Sequence, residues 1–345
     1  MKRILILFLA AALLVVGFVL LPSREEKEVD INSIMSTKEQ AGTELNAAQE
    51  KLSSLSSEGA VPFDVSQQLW VQKGGETVKL SLREYLVGVL LAEMPADFPM
   101  EALKAQAIAS RTFALRQGEA GKHPFAHICA SSSCCQGWAD PSEYDSTAVL
   151  RVHQAVEQTD GLVLTYEGKL IDATFFSCSG GQTEAAVAVW GGEIPYLQSV
   201  ESPGEEDAAP YWDTLVLDGQ QFSQCLLAAY PGANLSGSPM DWFGAVSYTD
   251  GGGVDTIFIG GVPIKGTSLR SLLGLRSTVF SVETSSDQIT ITTRGFGHRV
   301  GLSQYGAKAM AEKNCGFEEI LLHYYQNTTI KRLLCETTEQ PCAFY

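Results

Sequence analysis

Residues 81–117 are written as two helices joined by a proline break, and the rest of the chain has to fold around them. Ser81 and Glu84 form a capping box, in which each side chain satisfies a backbone N–H that the first turn leaves open. The spacing predicts a helix from there to about Glu93, stopped by Pro95, which disfavours helical backbone in the residue before it. At about 100° per residue, Leu82, Leu86, Val89 and Glu93 fall within roughly 40° of one another. Glu93 therefore ends an apolar stripe at the carboxyl end of its helix. Burial disfavours a carboxylate there, and so does the negative end of the helix dipole. Both raise its pKa, as a general acid near neutral pH requires. The plain alternative is a solvated glutamate at a frayed helix end.

A second helix is expected from near Asp97, with Pro99 in its first turn, to about Gln117, with Gly118 as C-cap. Ala102, Ala105, Ala107 and Ala109 leave it slim enough for close approach by a neighbour. Lys104 and Arg111 share a face with Met100, Ala107 and Ile108. Two cations on a small apolar face need a partner or a ligand, unless they snorkel to solvent. Strands are expected at Leu69-Trp70-Val71, at 77–80 and within 160–176, where Glu167-Gly168 makes a turn. A hairpin is expected over 278–293 around Ser285-Ser286-Asp287, and a final helix from Ser303 to Glu312. The acidic stretch 203–254 reads as loop-rich. Helices and strands mix without a βαβ rhythm, so the fold class is α+β.

Lys2 and Arg3 precede an uncharged apolar run, Ile4 to Leu21, of 18 residues. That length just reaches a membrane span. A cleaved signal peptide is the alternative, but no small-x-small site follows. The expected layout is an anchor over 1–22, a polar stalk over 23–60 and a globular region over 61–345. The positive-inside rule then puts the globular region outside the cytoplasm. The formal charge of -16 argues against nucleic acid and against docking on anionic lipid by charge alone, and leaves a glycan acceptable. His123, His127, Cys129, Cys134 and Cys135 crowd a short segment after the second helix. Thiolate and imidazole are preferred zinc ligands, with a disulfide from Cys129 to Cys134 or Cys135 as the alternative. Cys335 and Cys342 are a further candidate pair. His298, among glycines, is a candidate ligand or catalytic aid, or simply a turn residue.

Residues 85–95 and 101–112 together resemble the signature of the stage II sporulation protein D family, which also holds the amidase enhancers of Bacillus cell walls. Further blocks match in order: 175–183 with Val189-Trp190 and Pro195-Tyr196-Leu197, then 264–277, then 294–307. The resemblance spans roughly 65–330. It implies two lobes around a glycan cleft, Glu93 as catalytic acid, and Lys104, Arg111 and Tyr196 lining that cleft. It also selects His123, Cys129, Cys134 and Cys135 as the zinc ligands, with Gln136 completing the match and His127 to spare. Four protein ligands close a tetrahedron, so such a zinc is structural, which disfavours a zinc hydrolase. The implied activity is lytic transglycosylation of peptidoglycan, for which one carboxylate suffices. The implied setting is engulfment in endospore formation, with a wall amidase and membrane engulfment proteins as partners. A non-catalytic enhancer of an amidase is the competing function. Gln198, Gly204 and Arg299 depart from the family's usual Lys, Trp and Gly, which bears on substrate fit more than on chemistry.

Overall fold

The structure, a computed structural model, describes residues 62–334. The expected anchor, the stalk and the Cys335/Cys342 pair lie outside these residues. No helix among the described residues is long and apolar enough to cross a membrane.

The chain begins with one helical turn, α1 (Phe63–Ser66), and a hairpin of β1 (Gln68–Lys73) and β2 (Glu76–Ser81). The first expected helix is α2 (Leu82–Glu93), and Ser81 and Glu84 make its capping box. Leu82, Leu86 and Val89 are fully buried, each contributing about 1.5–3 kcal/mol of burial. The second is α3 (Met100–Ala120), displaced toward the C-terminus from its expected bounds. Pro99 is its N-cap, and Asp97-Phe98 belongs to the turn before it. Gly118 lies inside the helix, and Gly121 takes the left-handed cap at φ 64°. Glu119 and Ala120 keep the helix going past Gly118, with Arg116 and Glu119 approaching across one turn.

After α3 come β3 (Ile128–Cys129), which pairs parallel to β1, and α4 (Ser146–Gln158), capped by Asp145. The strands expected within 160–176 are β4 (Leu162–Tyr166), β5 (Lys169–Leu170) and β6 (Phe175–Phe176). α5 (Ala186–Trp190) follows. The loop-rich reading of 203–254 is overturned. That stretch holds β7 (Trp212–Asp218), α6 (Gly219–Ala229) and β8 (Phe243–Tyr248). Leu215 and Leu217 alternate inward, and Asp218 caps α6 with a capping box, so short local signals override the acidic composition. β9 (Val254–Ile259) and β10 (Val262–Lys265) complete a sheet with β8, and α7 (Gly266–Leu273) follows. The expected hairpin is β11 (Val279–Thr284) and β12 (Gln288–Arg294), the latter also pairing with β7. β13 (Leu302–Ser303) pairs with β6 and leads into α8 (Gln304–Glu312). That helix is not the final one: α9 (Phe317–Tyr324) and β14 (Thr329–Arg332) come after it.

The class is α+β, as expected. Two hydrophobic cores form. The larger gathers α2, α3, α4, β4, α8 and α9 around Leu86, Leu103, Ile108, Val163 and Tyr324. The smaller gathers β7, α6, β9 and β12 around Phe222, Trp242, Ile257 and Ile291.

Candidate active site and metal centre

α2 carries Gly88 in its middle, where glycine costs about 1 kcal/mol relative to alanine. The reason is Trp138: a Cβ on Gly88 would lie 2.2 Å from the indole Nε1. Ala139 N–H donates to Gly88 O at 3.0 Å, so residues 137–139 lie along the last turns of α2. Lys73 Nζ sits 3.6 Å above the Trp138 ring, a cation–π contact. Glu93 ends the same helix, half-buried, and its Oε1 accepts from Gly137 N–H at 2.5 Å. Burial pushes the Glu93 carboxyl above its ordinary range, and the Gly137 N–H pulls part of the way back. The raised direction agrees with the reading of the helix stripe.

Glu93 borders a cavity of about 520 Å³, within the size range of small-molecule sites. Asp97, Tyr144, Asp145, Thr147 and Arg151 also line it. Arg151 is fixed by donating to Ala96 O and Phe98 O, each at 2.8 Å. Asp145 Oδ1 accepts from the N–H groups of Thr147 and Ala148 as the cap of α4, which commits one of its oxygens. Asp97 is exposed. Gly137, Tyr144, Thr147 and Arg151 were not legible as site residues. Gly137 and Tyr144 lie between the cysteine cluster and α4, and Thr147 and Arg151 in the first turns of α4, none of them in a motif. Only the packing of these segments on α2 brings them to Glu93.

The other expected cleft residues do not border this cavity. Arg111 is fully buried and bonds the equally buried Asp64 at 2.5 Å. This corrects the expectation that it lines a cleft: α1 supplies its partner. Lys104 pairs with Glu101 at 2.7 Å and approaches the Phe317 ring at 5.9 Å, where α3 meets α9. The Tyr196 hydroxyl accepts from Asp172 N–H at 3.1 Å, and its ring lies 5.5 Å from that of Tyr166.

His123, Cys129, Cys134 and Cys135 come together, with their ligand atoms all within 4.8 Å of one another. His123 Nε2 lies 3.2 Å from Cys135 Sγ and 3.9 Å from Cys134 Sγ, and those two sulfurs are 4.0 Å apart. Metal bonds of roughly 2.0–2.3 Å in a tetrahedron need ligand separations of this order, so the donor set fits one metal ion. All three cysteines are free in this structure. His127 stands apart, its Nδ1 accepting from Trp70 N–H at 3.0 Å.

His298 is not part of this cluster. Its Nδ1 accepts from Val300 N–H at 3.1 Å, and its ring packs against Phe176 and Trp190. Burial lowers its pKa to about 4. The turn it belongs to explains one departure. Arg299 has φ 67°, a conformation that favours glycine, and its buried guanidinium lies 3.6 Å from Glu184.

A profile described as "Stage II sporulation protein" matches residues 72–166. The chain is similar to "Stage II sporulation protein D" of Bacillus subtilis (strain 168), at 34% identity over 93% of this chain and 92% of that one. It is 40% identical to "Stage II sporulation protein D" of Bacillus amyloliquefaciens over 73% of this chain and 74% of that one. An "Amidase enhancer" of Bacillus subtilis (strain 168) is 29% identical over 71% of this chain and 40% of its own length.

Proposed function

The chain belongs to the stage II sporulation protein D family, and from that premise we propose that it is a lytic transglycosylase acting on peptidoglycan glycan strands during engulfment in endospore formation. The observation that carries the reading is Glu93: a half-buried carboxyl, raised by burial, bordering a cavity at the end of its helix. Protonated Glu93 gives its proton to the oxygen joining N-acetylmuramic acid to N-acetylglucosamine. The muramic acid C6 hydroxyl attacks C1 as that bond breaks. The Glu93 carboxylate takes the hydroxyl proton. The products are a 1,6-anhydro end and a free N-acetylglucosamine 4-hydroxyl, and no water is consumed. Two-carboxylate hydrolysis needs a second free acid. Asp97 and Asp145 also line the cavity, so the chemistry of the product ends is what separates the single-acid route from hydrolysis.

Lys104 and Tyr196, both partly exposed, hold sugars beyond the Glu93 cavity, with the two cores as two lobes flanking the strand. Zinc on His123, Cys129, Cys134 and Cys135 is structural, because four protein ligands leave no open position. The run Ile4 to Leu21 holds the chain in the membrane with its globular region outside the cytoplasm, and a wall amidase and membrane engulfment proteins are its partners. A second reading, a non-catalytic enhancer of a wall amidase, is favoured by the similarity to the amidase enhancer. The deciding experiment incubates peptide-stripped glycan strands with the parent protein and with Glu93→Gln, and analyses the ends by mass spectrometry. The parent is expected to leave 1,6-anhydro ends. General acid catalysis contributes about 10²–10⁴-fold, so the variant should fall by at least that much. If neither protein cleaves and both stimulate an amidase, the enhancer reading stands.

A further inference from the structure

Cys135 is followed by two residues that pack on α2, the second of them against Glu93. Gln136 is 1% exposed. Its Oε1 accepts from the Tyr85 hydroxyl at 3.1 Å, and its Nε2 donates to Ser110 O at 3.4 Å. One side chain thus fixes the segment to both α2 and α3. Gly137 then turns its N–H onto Glu93 Oε1 at 2.5 Å. The approach is too close for a side chain. A Cβ on residue 137 would lie 2.9 Å from that oxygen and 3.4 Å from Ala92 Cβ. The ligands Cys134 and Cys135 therefore stand next to a two-residue strut that ends on the carboxylate.

We propose that Gln136 and Gly137 are positioning residues that couple the His/Cys metal cluster to Glu93. The inference rests on reading Glu93 as the acid and the cluster as a metal site. The N–H on Oε1 makes that oxygen an acceptor in both protonation states. The proton of the neutral acid is thereby confined to Oε2. The same oxygen gives the proton to the leaving group and later recovers one, so the residue need not rotate between the two steps. A carboxyl without this donor has two interchangeable oxygens and a free terminal torsion. Loss of the metal frees Cys134 and Cys135, slackens the strut and releases Oε1.

The test reads the amide of Gly137 in the full-length chain, labelled with ¹⁵N-glycine, with no turnover required. In zinc-loaded protein the Gly137 amide proton is expected downfield, and Glu93→Gln moves it upfield. After chelation, or in Gln136→Leu with zinc bound, the signal should already sit upfield, and adding Glu93→Gln should bring no further change. Gly137→Ala should keep its zinc and its circular dichroism and lose about 10²-fold in kcat with KM retained, the scale of a misplaced reacting group. A Gly137 signal that still responds to Glu93→Gln after chelation and in Gln136→Leu overturns the coupling. Parental kcat in Gly137→Ala overturns the positioning role. Parental cleavage by Glu93→Gln counts against the acid assignment alone, because the amide signal is read independently of cleavage.

Discussion

Arg111 and Asp64 meet at 2.5 Å as an ion pair with neither side chain exposed. The same guanidinium donates to Val156 O at 3.2 Å and to Leu162 O at 3.1 Å. One arginine thus ties α1, the end of α4 and the start of β4 to the middle of α3. Removing one partner of a buried pair leaves an uncompensated charge and costs about 3–5 kcal/mol. Arg111→Ala should destabilise the fold by about that amount. Arg111→Lys should recover little, because an ammonium cannot reproduce the forked contact with Asp64. Urea denaturation checks both. Weakened glycan binding at unchanged stability would instead return Arg111 to the substrate.

Gly88 and Trp138 give a second prediction. Alanine at 88 would gain about 1 kcal/mol of helix propensity. Its Cβ would lie 2.2 Å from the rigid indole, and overpacking of that kind costs about 1–3 kcal/mol. The net expectation for Gly88→Ala is a modest loss of stability together with displacement of Trp138. Thermal unfolding and tryptophan fluorescence read the two effects separately. Parental fluorescence in a stable Gly88→Ala would show that the ring does not pack there.

The two central helices were legible because their signals are local. The capping box at Ser81 and Glu84 fixes one end of α2 within a residue. The metal cluster was legible as five His and Cys residues in a short segment, from which the family resemblance selected the four that come together. Arg111 was misread because its partner, Asp64, is 47 residues away in sequence, in a single helical turn that no periodicity announces. Arg299 looked like a departure from a glycine-rich turn. The structure keeps the left-handed backbone and uses the side chain in a buried pair with Glu184. Acidic composition hid β7 and α6, although Asp218 and Gln221 were present as a capping box. Gly137 carries no side chain to notice, and its role exists only in the contact it makes.

The metal prediction follows from the donor set. Protein purified without added metal should carry one zinc per chain by elemental mass spectrometry, and Cys129→Ser should lose it. The apo protein should keep the larger core, since most of the apolar side chains that pack α2 and α3 come from α2, α3, α4, β4 and α9. Residues 123–139 should gain amide exchange on chelation. A metal content near zero, with Cys129 found in a disulfide, would rule the site out.

Glu93 sets the pH dependence. Its carboxyl is raised above the ordinary value of 4.5, first by burial, with the Gly137 N–H opposing. A general acid works in its protonated form, so cleavage should decline as pH rises through the raised pKa. Stability follows the same proton. A carboxyl raised in the folded state binds its proton more tightly there than in the unfolded chain. Its contribution is fully present below the unfolded pKa and is lost as pH rises through the folded one. In Glu93→Gln both effects should vanish together: cleavage is low at every pH, and the difference in thermal stability between the two proteins varies only across the window where Glu93 titrates. A parental cleavage profile that rises with pH through that window would assign Glu93 the role of a base from the outset, and the transglycosylase mechanism would need another acid.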